Sequence, residues 1–260
     1  MLLREMKALI KKIIPARARL ALRRKQFELR AKKYPGTEVY CPCCNREFSQ
    51  FLPYGYREIR ENAACPRCNS LERMRLLWFY LERELQIFDN WKDKRILHFA
   101  PEWLIEKKLR RHPGYLSIDI MPELAMVQGD IQQLQFDKDS FDLVICSHVL
   151  DLIPDEDLAF KELHRVIKPH GVLLIQQNIL STLNATVERS DLPLSEFESL
   201  VNDGDPHHQR EYGPDFPDRI RNRKFEVEIV DYYNDFSEED KLRYGLKNEP
   251  IYSCRPLLKK

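Results

Sequence analysis

The sequence predicts an α/β fold: a doubly wound, mostly parallel sheet preceded by a small cysteine-bearing module and a basic N-terminal helix. Three observations carry that reading. From Lys94 onward, short apolar runs alternate with amphipathic stretches of helical length, as βαβ units require. Phe141–Ser147 is nearly all apolar, the composition of an interior parallel strand covered on both faces. Of the seven cysteines, 41, 43, 44, 65 and 68 crowd into one short segment, the mark of a metal-stapled module.

In chain order, residues 2–14 place Leu2, Leu3, Met6, Leu9, Ile10, Ile13 and Ile14 at helical spacing, with Lys7, Lys11 and Lys12 opposite. Pro15 ends that pattern, and a second basic stretch runs over residues 17–33. Residues 1–36 thus read as a basic, amphipathic helical arm, and Pro35-Gly36 as a linker. Residues 1–33 carry 12 Lys/Arg against 2 Asp/Glu, although the whole chain is only +1. The remainder is acidic, so the arm alone looks suited to a polyanion. It could contact RNA phosphates, lie on an anionic membrane surface, or simply pack as a solvated helix.

Residues 37–70 form the cysteine module. Cys41-Pro-Cys-Cys44 and Cys65-Pro-Arg-Cys68 are two C-x2-C turns 20 residues apart. Zinc favours tetrahedral thiolate sets, and each turn can supply two sulfurs, so Cys41, Cys44, Cys65 and Cys68 are the expected ligands of a structural zinc. Cys43 could replace a neighbour, but the symmetric pairing favours Cys41 and Cys44. Asn45 and Asn69 follow the second cysteine of each turn, where a left-handed residue is wanted. Four thiolates leave no open coordination position, which excludes a catalytic role for the metal.

Residues 71–260 form the main domain, entered through a linking helix over 70–88 whose stripe is Leu71, Met74, Leu77, Trp78, Leu81 and Leu85. Strands are expected over 95–100, 115–120, 125–128, 141–147 and 171–177, with a closing pair over 225–232 and 251–254. Helices are expected over 102–111, 155–167 and 214–223. An apolar content of 43% supports a packed core and excludes a disordered chain. No apolar run approaches the roughly 18 residues of a membrane span, and the N-terminus lacks a signal peptide's features. The expectation is a cytoplasmic protein, with contact to the inner face of the membrane open through the arm. No G-x-G-x-x-G follows any expected strand, which argues against a nicotinamide-dependent dehydrogenase.

The segment Ser140-Phe-Asp-Leu-Val-Ile-Cys-Ser-His-Val-Leu-Asp-Leu-Ile-Pro154, followed by Leu163-His-Arg-Val-Ile-Lys-Pro-His-Gly-Val-Leu-Leu-Ile175, resembles the fourth strand, helix and fifth strand of class I S-adenosylmethionine-dependent methyltransferases of the type 11 kind. The cysteine module, Asn69-Ser-Leu-Glu-Arg73 and Leu97-His-Phe-Ala-Pro-Glu102 resemble a bacterial subgroup with an N-terminal zinc ribbon. The resemblance implies a Rossmann-like, seven-stranded methyltransferase sheet and S-adenosylmethionine as cofactor. It places the cofactor against the first-strand loop, His98, Ala100 and Glu102, where relatives carry an acidic residue and a Gly-x-Gly turn. Asp119 at the end of the second strand is expected at the ribose hydroxyls. Asp130 is expected at the adenine amine, with Ile131 over the ring and Ser147 at the end of the fourth strand.

His148, beside Ser147, is a candidate catalytic base, as is His208 in the loop 203–213. His207, Arg210 and Tyr212 of that loop are candidate substrate contacts. The expected acceptor is a small metabolite, a glycan or a lipid-linked sugar. The rival readings are a zinc-bearing ribosomal-RNA methyltransferase and a non-catalytic zinc-ribbon scaffold with a degenerate cofactor site.

Overall fold

The computed structural model describes residues 16–56, 58–201 and 207–257. The apolar helix expected over 2–14 lies outside the described residues, as does part of the 203–213 loop. Helix α1 is Ala16–Ala31, six of whose sixteen residues are Arg or Lys against a single Glu. The module follows as two hairpins: β1 (Val39–Cys41) with β2 (Arg46–Phe48), and β3 (Leu52–Tyr54) with β4 (Arg60–Ala64), each antiparallel. One C-x2-C turn caps the first hairpin and the other follows β4.

Helix α2 is Glu72–Phe79, and it continues through a wider π-type turn over Tyr80–Glu84. The linking helix expected over 70–88 is therefore shorter and changes pitch at Tyr80. It is also more buried than one amphipathic stripe would be. Leu76, Leu77, Trp78, Phe79, Tyr80 and Leu81 are all buried, because the helix is packed between the module and the sheet. One apolar core joins Phe48, Phe51 and Cys65 of the module to Leu76 and Leu81 of the helix and Ile96, Tyr115 and Ile145 of the sheet.

The main sheet takes β5 (Ile96–Phe99), β6 (Tyr115–Asp119), β7 (Val127–Gln128), β8 (Phe141–Ser147), β9 (Ile167–Gln176), β12 (Phe225–Val230) and β13 (Ile251–Pro256). A small ribbon pairs β10 (Val187–Glu188) with β11 (Arg210–Glu211). The seven-stranded order is β12-β13-β9-β8-β5-β6-β7. β7, β6, β5, β8 and β9 run parallel, and β13 is inserted antiparallel between β9 and β12. Numbered within the sheet, this is the 3-2-1-4-5-7-6 order with its reversal between β5 and β8. Open sheets of this kind bind ligands at that crevice, beyond the carboxyl ends of the strands. The short helices α3 (Trp103–Leu109), α4 (Glu156–Val166), α5 (Leu194–Leu200), α6 (Phe216–Arg221) and α7 (Glu238–Tyr244), with 3₁₀ turns over Leu150–Leu152, Arg189–Asp191 and Tyr232–Asp235, complete the described elements. Asp155 caps α4 by accepting from the Leu158 N–H at 2.9 Å. Among the described residues no helix is long and apolar enough to cross a membrane.

Arg75 locks module to domain. It is fully buried, its guanidinium donates to the carbonyls of Ser70, Ala63, Tyr244 and Gly245, and it stacks on Phe51 at 4.0 Å. A buried cation is tolerable only when every donor finds an acceptor, and these four carbonyls come from both parts of the chain.

Candidate active site

The cysteine cluster has the form of a thiolate metal site. The sulfurs of Cys41, Cys44, Cys65 and Cys68 lie within 4.8 Å of one another. Cys41 and Cys68 are 3.6 Å apart and Cys44 and Cys65 are 3.8 Å apart. Thiolates about 2.3 Å from a tetrahedral zinc stand about 3.8 Å from each other, so these two pairs already have the spacing such an ion requires. Asn45 (φ 51°) and Asn69 (φ 59°) are left-handed, as the turns demand. Cys43 faces elsewhere, toward the Met74 carbonyl, and lines the adjoining cavity. Arg30 of α1 ties down the second turn through the Pro66 and Cys65 carbonyls and Asn69 Oδ1.

That cavity, of about 380 Å³, opens where β5 and β8 diverge. Ala100, Pro101 and Glu102 form one wall and Ser147 and His148 another, while Cys43, Cys68 and Asn69 close it from the module. Its size is that of an ordinary small-molecule site. Ala100 (φ 42°) and His148 (φ 51°) are both left-handed and non-glycine, directly after the ends of β5 and β8. Such strained residues gather at functional sites. Ala100 thus adopts a backbone that glycine takes more readily, with only a methyl group to accommodate.

Two buried polar atoms on this wall have no protein partner: Ser147 Oγ and Arg73 Nε. With Glu102 they offer a hydroxyl, a cation and a carboxylate among apolar neighbours such as Met74 and Leu104. That donor set suits a ligand with a zwitterionic end and a flat apolar body, which is the character of S-adenosylmethionine.

Several expected contacts are corrected. His98 is fully buried, with Nδ1 at 3.0 Å from the Tyr115 hydroxyl and Nε2 at 2.8 Å from Glu102 Oε2. It positions Glu102 and does not itself line the cavity. Burial pushes the Glu102 carboxyl up, and the His98 contact more than reverses this, leaving it below its usual range. Asp130 spends its carboxylate on the Gln132 N–H and side-chain amide, a local turn, and Ile131 is buried in the sheet core. Neither offers a free face to an adenine. Asp119 does end β6, half-buried, accepting from the Met121 N–H at 2.8 Å. Burial raises its carboxyl, and it stands outside the cavity's lining.

Arg210 and Tyr212 are also corrected. Arg210 is 2% exposed and donates to the carbonyls of Leu150, Ile153 and Pro154 and to Glu188. Tyr212 is 1% exposed and donates to Glu156 at 2.6 Å. Pairing of β10 with β11 turns both inward, so they hold the loop in place and have no reach to a substrate. His207 is exposed and lines neither cavity.

His208 and His148 do come together. A second, polar cavity of about 130 Å³ is lined by both, with Asp151, Glu211, Glu249 and Arg73. His148 Nε2 lies 2.7 Å from Glu249 Oε1. His208 Nδ1 lies 2.6 Å from Glu211 Oε1, and its Nε2 is 3.7 Å from Asp151 Oδ2. Tyr54, Gly55 and Arg60 of the β3–β4 hairpin form the far wall. Asp151, Glu211, Glu249 and Arg73 were not singled out from the sequence. Asp151, three residues after His148, had a local signal; Glu249 had none.

The sheet order and the crevice define the fold of the class I methyltransferases. Comparison with known proteins agrees. Residues 99–175 match a family described as a methyltransferase domain. Over 63 residues the chain is 38% identical to a demethylmenaquinone methyltransferase of Staphylococcus epidermidis, covering 24% of this chain and 26% of that protein. It is 33% identical over 61 residues to the enzyme of the same name from Lysinibacillus sphaericus. The chain therefore spans about a quarter of the length of these curated relatives. Among solved structures, the YcgJ protein of Bacillus subtilis is 13% identical, with a TM-score of 0.47, covering 69% of this chain and 99% of that one.

Proposed function

We propose that this protein transfers the methyl group of S-adenosylmethionine to a small-molecule acceptor, with His148 at the point of transfer and a structural zinc on Cys41, Cys44, Cys65 and Cys68. One observation carries the reading: His148 forms part of the wall of both cavities, so a ligand in each would meet across it. Bound in the larger cavity, the cofactor supplies an electrophilic methyl group on sulfur. Arg73 and Ser147 would hold its polar end, and the strained Ala100 backbone would border it. Glu249, as a carboxylate, takes the Nε2 hydrogen of His148, leaving the lone pair on Nδ1 to accept a proton from an acceptor hydroxyl or amine. The polar cavity's size favours a small acceptor or the tip of a larger one, in keeping with the small-molecule names of the curated relatives.

Calorimetric titration with S-adenosylhomocysteine tests this reading. The expected result is one site per chain, weakened by Arg73→Gln. Failure of folded, zinc-loaded protein to bind overturns it and favours the scaffold reading.

A groove of about 870 Å³ supports a second reading. Arg24, Arg67, Lys107, Lys108, Arg110 and Arg111 line it, and it shares Arg24 and Trp103 with the cofactor cavity. An RNA acceptor would lie there, and steeply salt-dependent RNA binding lost on Lys107→Glu/Arg111→Glu would favour it.

A further inference from the structure

Contiguous exposed apolar side chains are uncommon on a folded protein and mark contact sites. One such run follows β6. Within the seven residues 120–126, Ile120, Met121, Leu124 and Met126 are between 36% and 68% exposed. Leu124, with Glu123 and Ala125, forms one wall of the basic groove of about 870 Å³, and the last turn of α3 with Arg110 and Arg111 forms another. Lys107, Lys108, Arg110 and Arg111 are all exposed. An aliphatic rim thus stands directly beside a row of cations.

The groove stays cationic when every charge on it is included. Its six cationic residues share the lining with two carboxylates, Glu106 and Glu123. Glu106 is 9% exposed and accepts from Arg110 at 3.3 Å and from the Ser117 hydroxyl at 3.0 Å. Cys44 brings the metal site to one end, where four thiolates on a divalent zinc carry two net negative charges. Six cations outnumber these four negative charges, and still do when Glu28, paired with Arg67 at 3.5 Å, is added. Three of the cations rest on aromatic rings: Arg24 and Lys107 over Trp103 at 4.5 and 5.9 Å, and Lys108 over Phe88 at 5.6 Å.

Cations alone would serve RNA or lipid equally, and the apolar side chains decide between them. Single-stranded RNA stacks its bases on open aromatic rings. The aromatic residues of this lining are Trp78, which is buried, and Trp103, whose ring already faces two cations. The exposed rim is aliphatic instead, and RNA offers nothing to fill it. An anionic bilayer matches both parts, with headgroups for the cations and an acyl boundary for the Ile, Leu and Met side chains.

We infer that the face formed by the loop 120–126 and the end of α3 docks on an anionic lipid surface. This contact goes beyond the methyl-transfer reading and does not rest on it.

The test is co-sedimentation of the full-length, zinc-loaded protein with vesicles of phosphatidylcholine alone or mixed equally with phosphatidylglycerol, with a single-stranded RNA oligonucleotide as the competing ligand. The mixed vesicles are expected to capture the protein and the neutral ones to leave it in solution. Leu124→Ser/Met126→Ser is expected to weaken capture by about tenfold or more, and Lys108→Glu/Arg111→Glu by about tenfold or more. Both pairs lie on the surface, so the melting temperature and S-adenosylhomocysteine affinity should stay at their wild-type values. Failure to bind the mixed vesicles overturns the proposal, as does equal capture by the neutral ones. Capture that survives Leu124→Ser/Met126→Ser also overturns it, because the contact then lies elsewhere. RNA that displaces the vesicles and is lost only on charge reversal returns the groove to the RNA reading. Loss of S-adenosylhomocysteine affinity in Leu124→Ser/Met126→Ser overturns it too, since the loop would then serve the cofactor. If S-adenosylhomocysteine binds no variant while capture depends on both pairs, the methyl-transfer reading fails and the lipid contact stands.

Discussion

Trp103 Nε1 donates to the Cys68 carbonyl at 3.2 Å, and Arg24 of α1 stacks on the Trp103 ring at 4.5 Å. The residue that opens α3 beside the larger cavity is thus tied to the last cysteine of the module. Metal binding at such a site is coupled to folding. Removal of zinc by a chelator is expected to red-shift tryptophan emission and to weaken S-adenosylhomocysteine binding together. If emission and affinity both hold after the metal is gone, the module does not shape the cavity.

Glu249 sets an acid limit on the site. Burial pushes its carboxyl up, and the charge and hydrogen bond of His148, with Arg73 and Lys247, more than reverse this, so it lies below its ordinary 4.5. A carboxylate whose pKa is lower folded than unfolded contributes stability above the unfolded value, and that stability is lost as pH falls through the folded value. Glu102 and Glu72 are shifted the same way. Thermal denaturation should therefore show melting temperature falling as pH drops below about 4.5, and the fall should be shallower in Glu249→Gln. A Glu249→Gln profile parallel to wild type would remove Glu249 from this account.

His148→Ala should lower kcat by about 10²- to 10⁴-fold with any acceptor the protein methylates, the usual span for loss of a general base. Affinity for S-adenosylhomocysteine should stay near that of wild type. A full kcat in this variant would leave His148 as wall only.

Arg75→Met should destabilise the protein by about 3 kcal/mol or more, since four carbonyls lose their donor in a site without water access. Urea denaturation reads this directly. A loss below about 1 kcal/mol would mean that the joint relaxes around the methionine.

Gly245 closes α7 at φ +54°, and a Cβ there would meet Phe51 Cδ2 at 2.6 Å and an Arg75 nitrogen at 2.8 Å. Gly245→Ala is expected to cost more than about 1 kcal/mol, from the left-handed backbone alone. Its effect should fall short of additivity with Arg75→Met, because the two changes disturb one contact.

The parts legible in the sequence are those written locally. The two C-x2-C turns with their following asparagines, the apolar run of β8 and the spacing of the strands all depend on near neighbours. Other site residues take their roles from distant ones. Arg210 reads as a loop cation until three carbonyls at Leu150, Ile153 and Pro154 turn inward and claim it. His98 reads as a cavity residue until Tyr115 of the adjacent strand takes one ring nitrogen. Glu249 reaches His148 across 101 residues of chain, and nothing near either residue announces the pair.

Because Cys43, Cys68 and Asn69 face the same cavity as Ala100 and Ser147, the cysteine segment is no detachable ornament of the sheet. A lineage that lost it would keep the strands and forfeit one side of the chamber they open onto. Excising or swapping the cysteine segment at that boundary is therefore expected to open the chamber to solvent rather than to leave a self-contained sheet domain.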